Sequence, residues 1–127
     1  MGTELPVFGE AFRAPRPQPV RGRKAFAELR RSRQRVFSGP VRVQFIPASN
    51  SEEARRFAYA VPRRVGTAVE RNRCRRRLRA AIAETSSSIP AGSYLVAIDK
   101  GVRDLPFQEL RARVVHAMQR ASQVGAR

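Results

Sequence analysis

The stretch "TAVERNRCRRRLRAAIAE", residues 67–84, constrains the chain more than any other, because its apolar and charged positions separate only on a helix. At about 100° per residue, Cys74, Leu78, Ala81 and Ile82 fall on one stripe. Asn72, Arg75, Arg76 and Arg79 point away from that stripe, Arg73 lies to one side, and Arg71 and Arg77 flank its edge. Thr67 followed three residues later by Glu70 fits a capping box, in which each side chain satisfies an orphan donor at a helix start. The spacing therefore predicts a helix over about 68–84 with one buried face.

Six arginines lie between Arg71 and Arg79, and the only acids of the stretch, Glu70 and Glu84, stand at its ends. A solvated helix face normally mixes signs to gain i,i+4 pairs. Here Arg71–Arg75 and Arg75–Arg79 are like-charge i,i+4 pairs, each costing a few tenths of a kcal/mol without a counterion. Over the whole chain the net charge is +16, with 24 Arg against two Lys. Such a charge repels itself in the compact state, so a polyanionic partner is expected. A guanidinium fork matches phosphate bidentately and stacks on bases. Asn72 offers both a donor and an acceptor, to a sugar, a base edge or a neighbouring arginine.

Nucleic acid and anionic membrane are the two polyanion candidates, and membrane is the weaker. No apolar run approaches the roughly 18–20 residues of a span, and the N-terminus has neither a secretory nor a myristoylation pattern. One cysteine gives neither an internal disulfide nor a metal cluster, which suits a reducing, cytoplasmic setting.

The 127 residues suit one domain. Residues 1–20, with "RAPRPQP", read as an extended, flexible tail, residues 21–123 as the folded domain, and 124–127 as a frayed end. Residues 21–34 read as a short basic helix with Ala25, Phe26 and Leu29 on its apolar stripe. "PVRVQFIP" (40–47) and "RFAYAVP" (56–62) alternate as strands, and their closeness predicts a hairpin with a long loop. "YLVAI" (94–98) is a short apolar strand expected to be buried on both faces. Asp104 and Pro106 open a last helix in which Phe107, Leu110, Val114, Ala117, Met118 and Ala121 recur at helical spacing. The expected fold is an α+β two-layer sandwich of order α-β-β-α-β-α.

"RVGTAVERNRCRRRLRAAI" resembles the signature of the bacterial ribonuclease P protein subunit. The match comprises Arg63–Arg64, Val65–Gly66, Ala68–Val69, Arg71–Asn72–Arg73, an apolar position at Cys74, and the basic run Arg75–Arg79 around Leu78. "FAELRRSRQRVFSGPVRV" and "YLVAIDKGVRDLPFQEL" are similar to other parts of that family. Pro62 stands where the family often has serine, Asp99 where it often has arginine, and Arg30 where it is often aromatic. The resemblance implies a protein cofactor, one per catalytic RNA, of a ribozyme that removes the 5′ leader of precursor tRNA. The RNA subunit would hold the Mg²⁺ and carry the chemistry. Arg63, Arg64, Arg71, Asn72, Arg73, Arg75, Arg76 and Arg79 would contact the catalytic RNA. Phe26, Arg30 and Phe45 or its neighbours would line a cleft for the leader between the first helix and the sheet, with ordinary core packing the alternative for Phe26 and Phe45.

The residues agree with a non-catalytic protein. His116, the only histidine, points off the apolar face of its helix, and the acids are scattered apart from Glu52 and Glu53. Cys74 on the core stripe reads as packing. A small ribosomal protein or RNA chaperone shares the charge and fold class but gives no reason for the ordered motif. A DNA-reading helix would carry mixed polar residues for base edges. A protein nuclease would need a site that the sequence does not offer.

Overall fold

The computed structural model describes residues 17–48, 54–85 and 88–124. In chain order the elements are β1 (Gln18–Pro19), α1 (Arg23–Arg30), β2 (Arg35–Ser38), β3 (Val41–Pro47), β4 (Arg55–Ala60), α2 (Ala68–Thr85), β5 (Gly92–Ile98) and α3 (Phe107–Val124). Short 3-10 turns at Arg63–Val65 and Lys100–Asp104 precede α2 and α3. The expected α+β order is present, with two strands added.

The five strands form one sheet in the order β1-β4-β5-β3-β2. β5 pairs parallel with β4 and antiparallel with β3, so it separates the two strands expected to form a hairpin. Parallel neighbours need a crossover, and α2 supplies it. The hairpin that does form is β2–β3, with Val41 paired to Ser38 across the turn at Gly39 and Pro40. Gly39 has φ 62, and a Cβ there would sit 2.7 Å from Arg113 Nη1, so both conformation and space favour glycine. Gln18 and Pro19, assigned to the tail by sequence, pair with β4 instead. The rest of the expected tail, residues 1–16, and the terminal residues 125–127 lie outside the described residues.

One sheet face is apolar and covered by α2 and α3. Val41, Val43 and Phe45 of β3, Tyr94, Val96 and Ile98 of β5, and Phe57 of β4 meet Cys74, Leu78 and Ile82 of α2 and Leu110, Val114, Ala117 and Met118 of α3. Tyr94 sits between Phe45 and Phe57 in register, with ring centroids 4.7 and 5.2 Å away. Its hydroxyl donates to the Pro90 carbonyl at 2.6 Å, which satisfies the one polar atom of this aromatic row.

The opposite face is covered only at one end, by α1 through the buried Leu29. Gln44, 2% exposed, donates from Nε2 to the carbonyls of Arg30 (2.8 Å) and Ser32 (3.2 Å). Ser32 Oγ donates to the Phe45 carbonyl at 2.6 Å. These bonds fix the end of α1 over β3 and leave the other end of the face open.

Candidate nucleic-acid interface

The helix start is built as its sequence implies. Glu70 Oε1 accepts from the Thr67 amide at 2.8 Å, and Thr67 Oγ1 accepts from the Glu70 amide at 3.2 Å. Gly66 lets this box close, because a Cβ there would lie 2.2 Å from Glu70 Oε1. Glu70 Oε2 also accepts from Arg103 Nη2 at 2.6 Å. The Thr67 amide first, and Arg103 with it, hold the Glu70 carboxyl below the usual glutamate range.

Each acid of α2 is thus taken by an arginine of another element: Glu70 by Arg103, and Glu84 by Arg111 at 3.0 Å. No arginine of α2 pairs with a carboxylate among the described residues. Asn72, Arg73, Arg76 and Arg79 are exposed, and Arg71, Arg75 and Arg77 are half-buried. Asn72 Oδ1 accepts from Arg75 Nη1 at 2.8 Å, so its amide oxygen serves a neighbouring arginine. Arg71 Nε donates back to the Thr67 carbonyl at 3.4 Å. Arg77, on the flank, donates to the Leu105 carbonyl and ties α2 to the chain before α3. The Arg79 guanidinium lies 5.5 Å from the Tyr59 ring centroid. Val69, 76% exposed, shares the face of Asn72, Arg73 and Arg76 by helical spacing. Arginine counting could not single it out.

A second basic site lies on the open end of the sheet. A cleft of about 490 Å³ is lined by the β2–β3 hairpin (Phe37, Pro40, Arg42), by the ends of β4 and β5 (Ala60, Ala97), and by Pro62, Arg64 and Asp99. Arg42, Ala97 and Ala60 are in register across three strands, so two small side chains leave its floor flat. Phe37 is 64% exposed at the rim and pairs across the hairpin with Arg42. Arg42 is half-buried, and its Nε has no hydrogen-bond partner among the described residues. Burial first, then the charges of Arg35, Arg30 and Arg64, lower its pKa.

This geometry bears on three of the sequence expectations. Phe45 is 3% exposed and belongs to the aromatic row on the opposite face, as its period-2 alignment with Val41 and Val43 requires. This cleft lies at the end of the sheet that α1 leaves open, where Leu29 and Gln44 do not fill the space. Arg64, expected on the catalytic-RNA surface, lines this cleft and pairs with Asp99. Phe26 and Arg30 remain together on α1, with the Arg30 guanidinium 5.8 Å from the Phe26 ring centroid, and Arg30 is close enough to act on Arg42. Arg63 is exposed in the turn before α2. Sequence periodicity does not mark the short β2 that places Phe37 opposite Arg42, although "SGP" before an alternating run is a turn signal.

The model of the Ribonuclease P family matches residues 14–122, nearly the whole chain. This chain belongs to the ribonuclease P protein family. The ribonuclease P protein component of Mycoplasma pneumoniae is 32% identical over 108 residues, covering 84% of this chain and 90% of its own length. That of Streptococcus thermophilus is 40% identical over 63 residues, 50% of this chain, and the match spans only 57% of that relative. Among solved structures, the ribonuclease P protein of Thermotoga maritima superposes with a TM-score of 0.71 at 21% identity, covering 81% of this chain and 96% of that one. The Staphylococcus aureus protein gives 0.69 at 18% identity, covering 78% and 90%. These two share the fold of this ribonuclease P protein.

His116 is exposed, with Nδ1 3.4 Å from Ser38 Oγ, and Cys74 is buried in the core. Glu52 and Glu53 lie outside the described residues. Among those described, no three His, Cys, Asp or Glu side chains gather as a metal site, and Glu70, Glu84, Asp99 and Glu109 are each held by an arginine. No helix among the described residues is long and apolar enough to cross a membrane.

Proposed function

We propose that this chain is the protein subunit of a ribonuclease P holoenzyme, assisting a catalytic RNA in removing the 5′ leader of precursor tRNA. The observation that carries this is the α2 face, where Arg73 and Arg76 stand exposed with no carboxylate partner while the acids of the same helix are neutralised from elsewhere. Arg71, Asn72, Arg73, Arg75, Arg76 and Arg79 bind the catalytic RNA, mostly at phosphates, with Arg63 beside them. Bidentate guanidinium–phosphate contacts favour a folded polyanion over base reading.

The cleft takes the single-stranded leader. Single strands bind by backbone charge plus stacking on aromatics, and the cleft offers Arg42, Arg30 and Arg64 for phosphates and the Phe37 ring at its rim for a base. The Phe26–Arg30 pair extends this surface along α1. The Mg²⁺ belongs to the RNA subunit and the protein's role is binding and orientation, in the cytoplasm, one copy per RNA.

Reconstitution with the matching catalytic RNA tests this reading. At low Mg²⁺ the protein should accelerate precursor-tRNA cleavage and cleave nothing alone. Cleavage by the protein alone, or no acceleration of the RNA, would contradict it.

A further inference from the structure

At the mouth of the cleft, Arg64 and Asp99 form a two-point ion pair, Nε to Oδ1 at 2.8 Å and Nη2 to Oδ2 at 3.3 Å. A carboxylate gripped in this way presents two oxygens to the guanidinium fork as a phosphate would. Asp99 is the only acid in a lining that also contains Arg42 and Arg64. Both partners are well exposed, 62% and 51%, so the pair is weak and exchanges easily with solvent or another anion.

We propose that Asp99 is an internal phosphate stand-in, which occupies Arg64 in the free protein and must be displaced by single-stranded nucleic acid entering the cleft. This rests on the reading of the cleft as the single-strand site. Its consequence is selectivity. With Arg64 already neutralised and a carboxylate beside it, a bare polyphosphate finds less attraction at the mouth. A chain that also stacks a base on Phe37 and pairs with the Arg42 guanidinium in the cleft lining has a second hold with which to displace the acid. Asp99 therefore lowers affinity for phosphate polymers in general and weights binding toward stacked bases.

Asp99 has a structural duty that the test must keep. Its Oδ1 accepts from the Lys100 amide at 2.8 Å and caps the turn Lys100–Asp104. Asparagine and serine also serve as caps, so Asp99→Asn and Asp99→Ser remove the charge and retain a capping oxygen.

The experiment titrates the full chain with a short oligoadenylate and, separately, with inorganic polyphosphate, over a range of salt. Both variants should bind oligoadenylate several-fold more tightly and polyphosphate more tightly still, narrowing the preference for the base-bearing chain. The log–log salt slope for oligoadenylate should steepen by about 0.7, the contribution of one more neutralised phosphate on a single strand. In an Arg64→Ala background the same substitutions should gain much less. Unchanged affinity and slope in both variants, with Arg42→Ala still weakening oligoadenylate, would overturn the role of Asp99 and leave the cleft standing. If neither Arg42→Ala nor Phe37→Ala weakens oligoadenylate, the cleft assignment and this inference fall together.

Discussion

Asn72 Oδ1 accepts a 2.8 Å hydrogen bond from Arg75 Nη1, less than one helical turn away on the same exposed rod. The bond limits the rotamers of a long cation that has like-charged neighbours at Arg71 and Arg79. An arginine already held loses less freedom when a phosphate arrives.

Asn72→Ala should accordingly leave stability within about 0.5 kcal/mol, as for most surface substitutions. Affinity for the catalytic RNA should fall about fivefold, equivalent to about 1 kcal/mol for a lost orienting bond. Thermal melting and RNA titration read the two effects separately. A lower melting temperature with unchanged affinity would show that Asn72 serves the helix instead.

The capping box gives a dependence on acid. Folding holds the Glu70 carboxyl below its ordinary range, chiefly through the Thr67 amide, then through Arg103. Its stabilising contribution is thus complete above the ordinary glutamate range and lost as pH falls through the depressed folded value. Glu70→Gln should lower the melting temperature at neutral pH, with the gap to the parent closing on acidification. Thr67→Ala should cost about 1 kcal/mol with little pH dependence of its own. A constant gap for Glu70→Gln across the acid range would contradict the electrostatic part of the cap.

Phe37 and Phe45 should separate cleanly. Phe45→Ala removes a ring from the aromatic row and should cost about 3–5 kcal/mol of stability. Phe37→Ala should leave the fold intact and reduce the gain in affinity that a 5′ leader confers, by about 1–3 kcal/mol if one base stacks there. Comparing precursor tRNA with and without a leader reads this directly. An unchanged leader effect would remove Phe37 from the site.

Leu78 is fully buried and anchors α2 under its arginines. Leu78→Ala should cost about 3 kcal/mol, and any loss of RNA affinity should track the unfolded fraction. A larger loss of affinity in the fully folded population would show that packing under α2 tunes the RNA face.

What the sequence made legible was local and what it concealed was pairing. The stripe Cys74–Leu78–Ala81–Ile82 and the Thr67–Glu70 spacing each sit within one helix, so period and cap chemistry were enough to place them. The β5 insertion between β3 and β4 depends on pairs as far apart in sequence as Arg55 with Gly92 and Val41 with Ile98, which no local pattern encodes. β2 is only four residues long and merges with the basic run before it, so Phe37 and Arg42 were not brought together as a site. The face of Phe45, by contrast, is readable from its alternation with Val41 and Val43, which favours the core where the structure places it. Arg64 lines the cleft from the turn Arg63–Val65 between β4 and α2, and a run of arginines carries no sign of such a turn.

The salt dependence of binding to the catalytic RNA tests the arginine face most directly. About five phosphate contacts predict a log–log slope of roughly −4 for the parent chain. Arg73→Ala combined with Arg76→Ala should make the slope shallower by about 1.5 and leave the melting temperature unchanged. A flat response in the parent, or the same slope in both proteins, would contradict the assignment of that face to RNA.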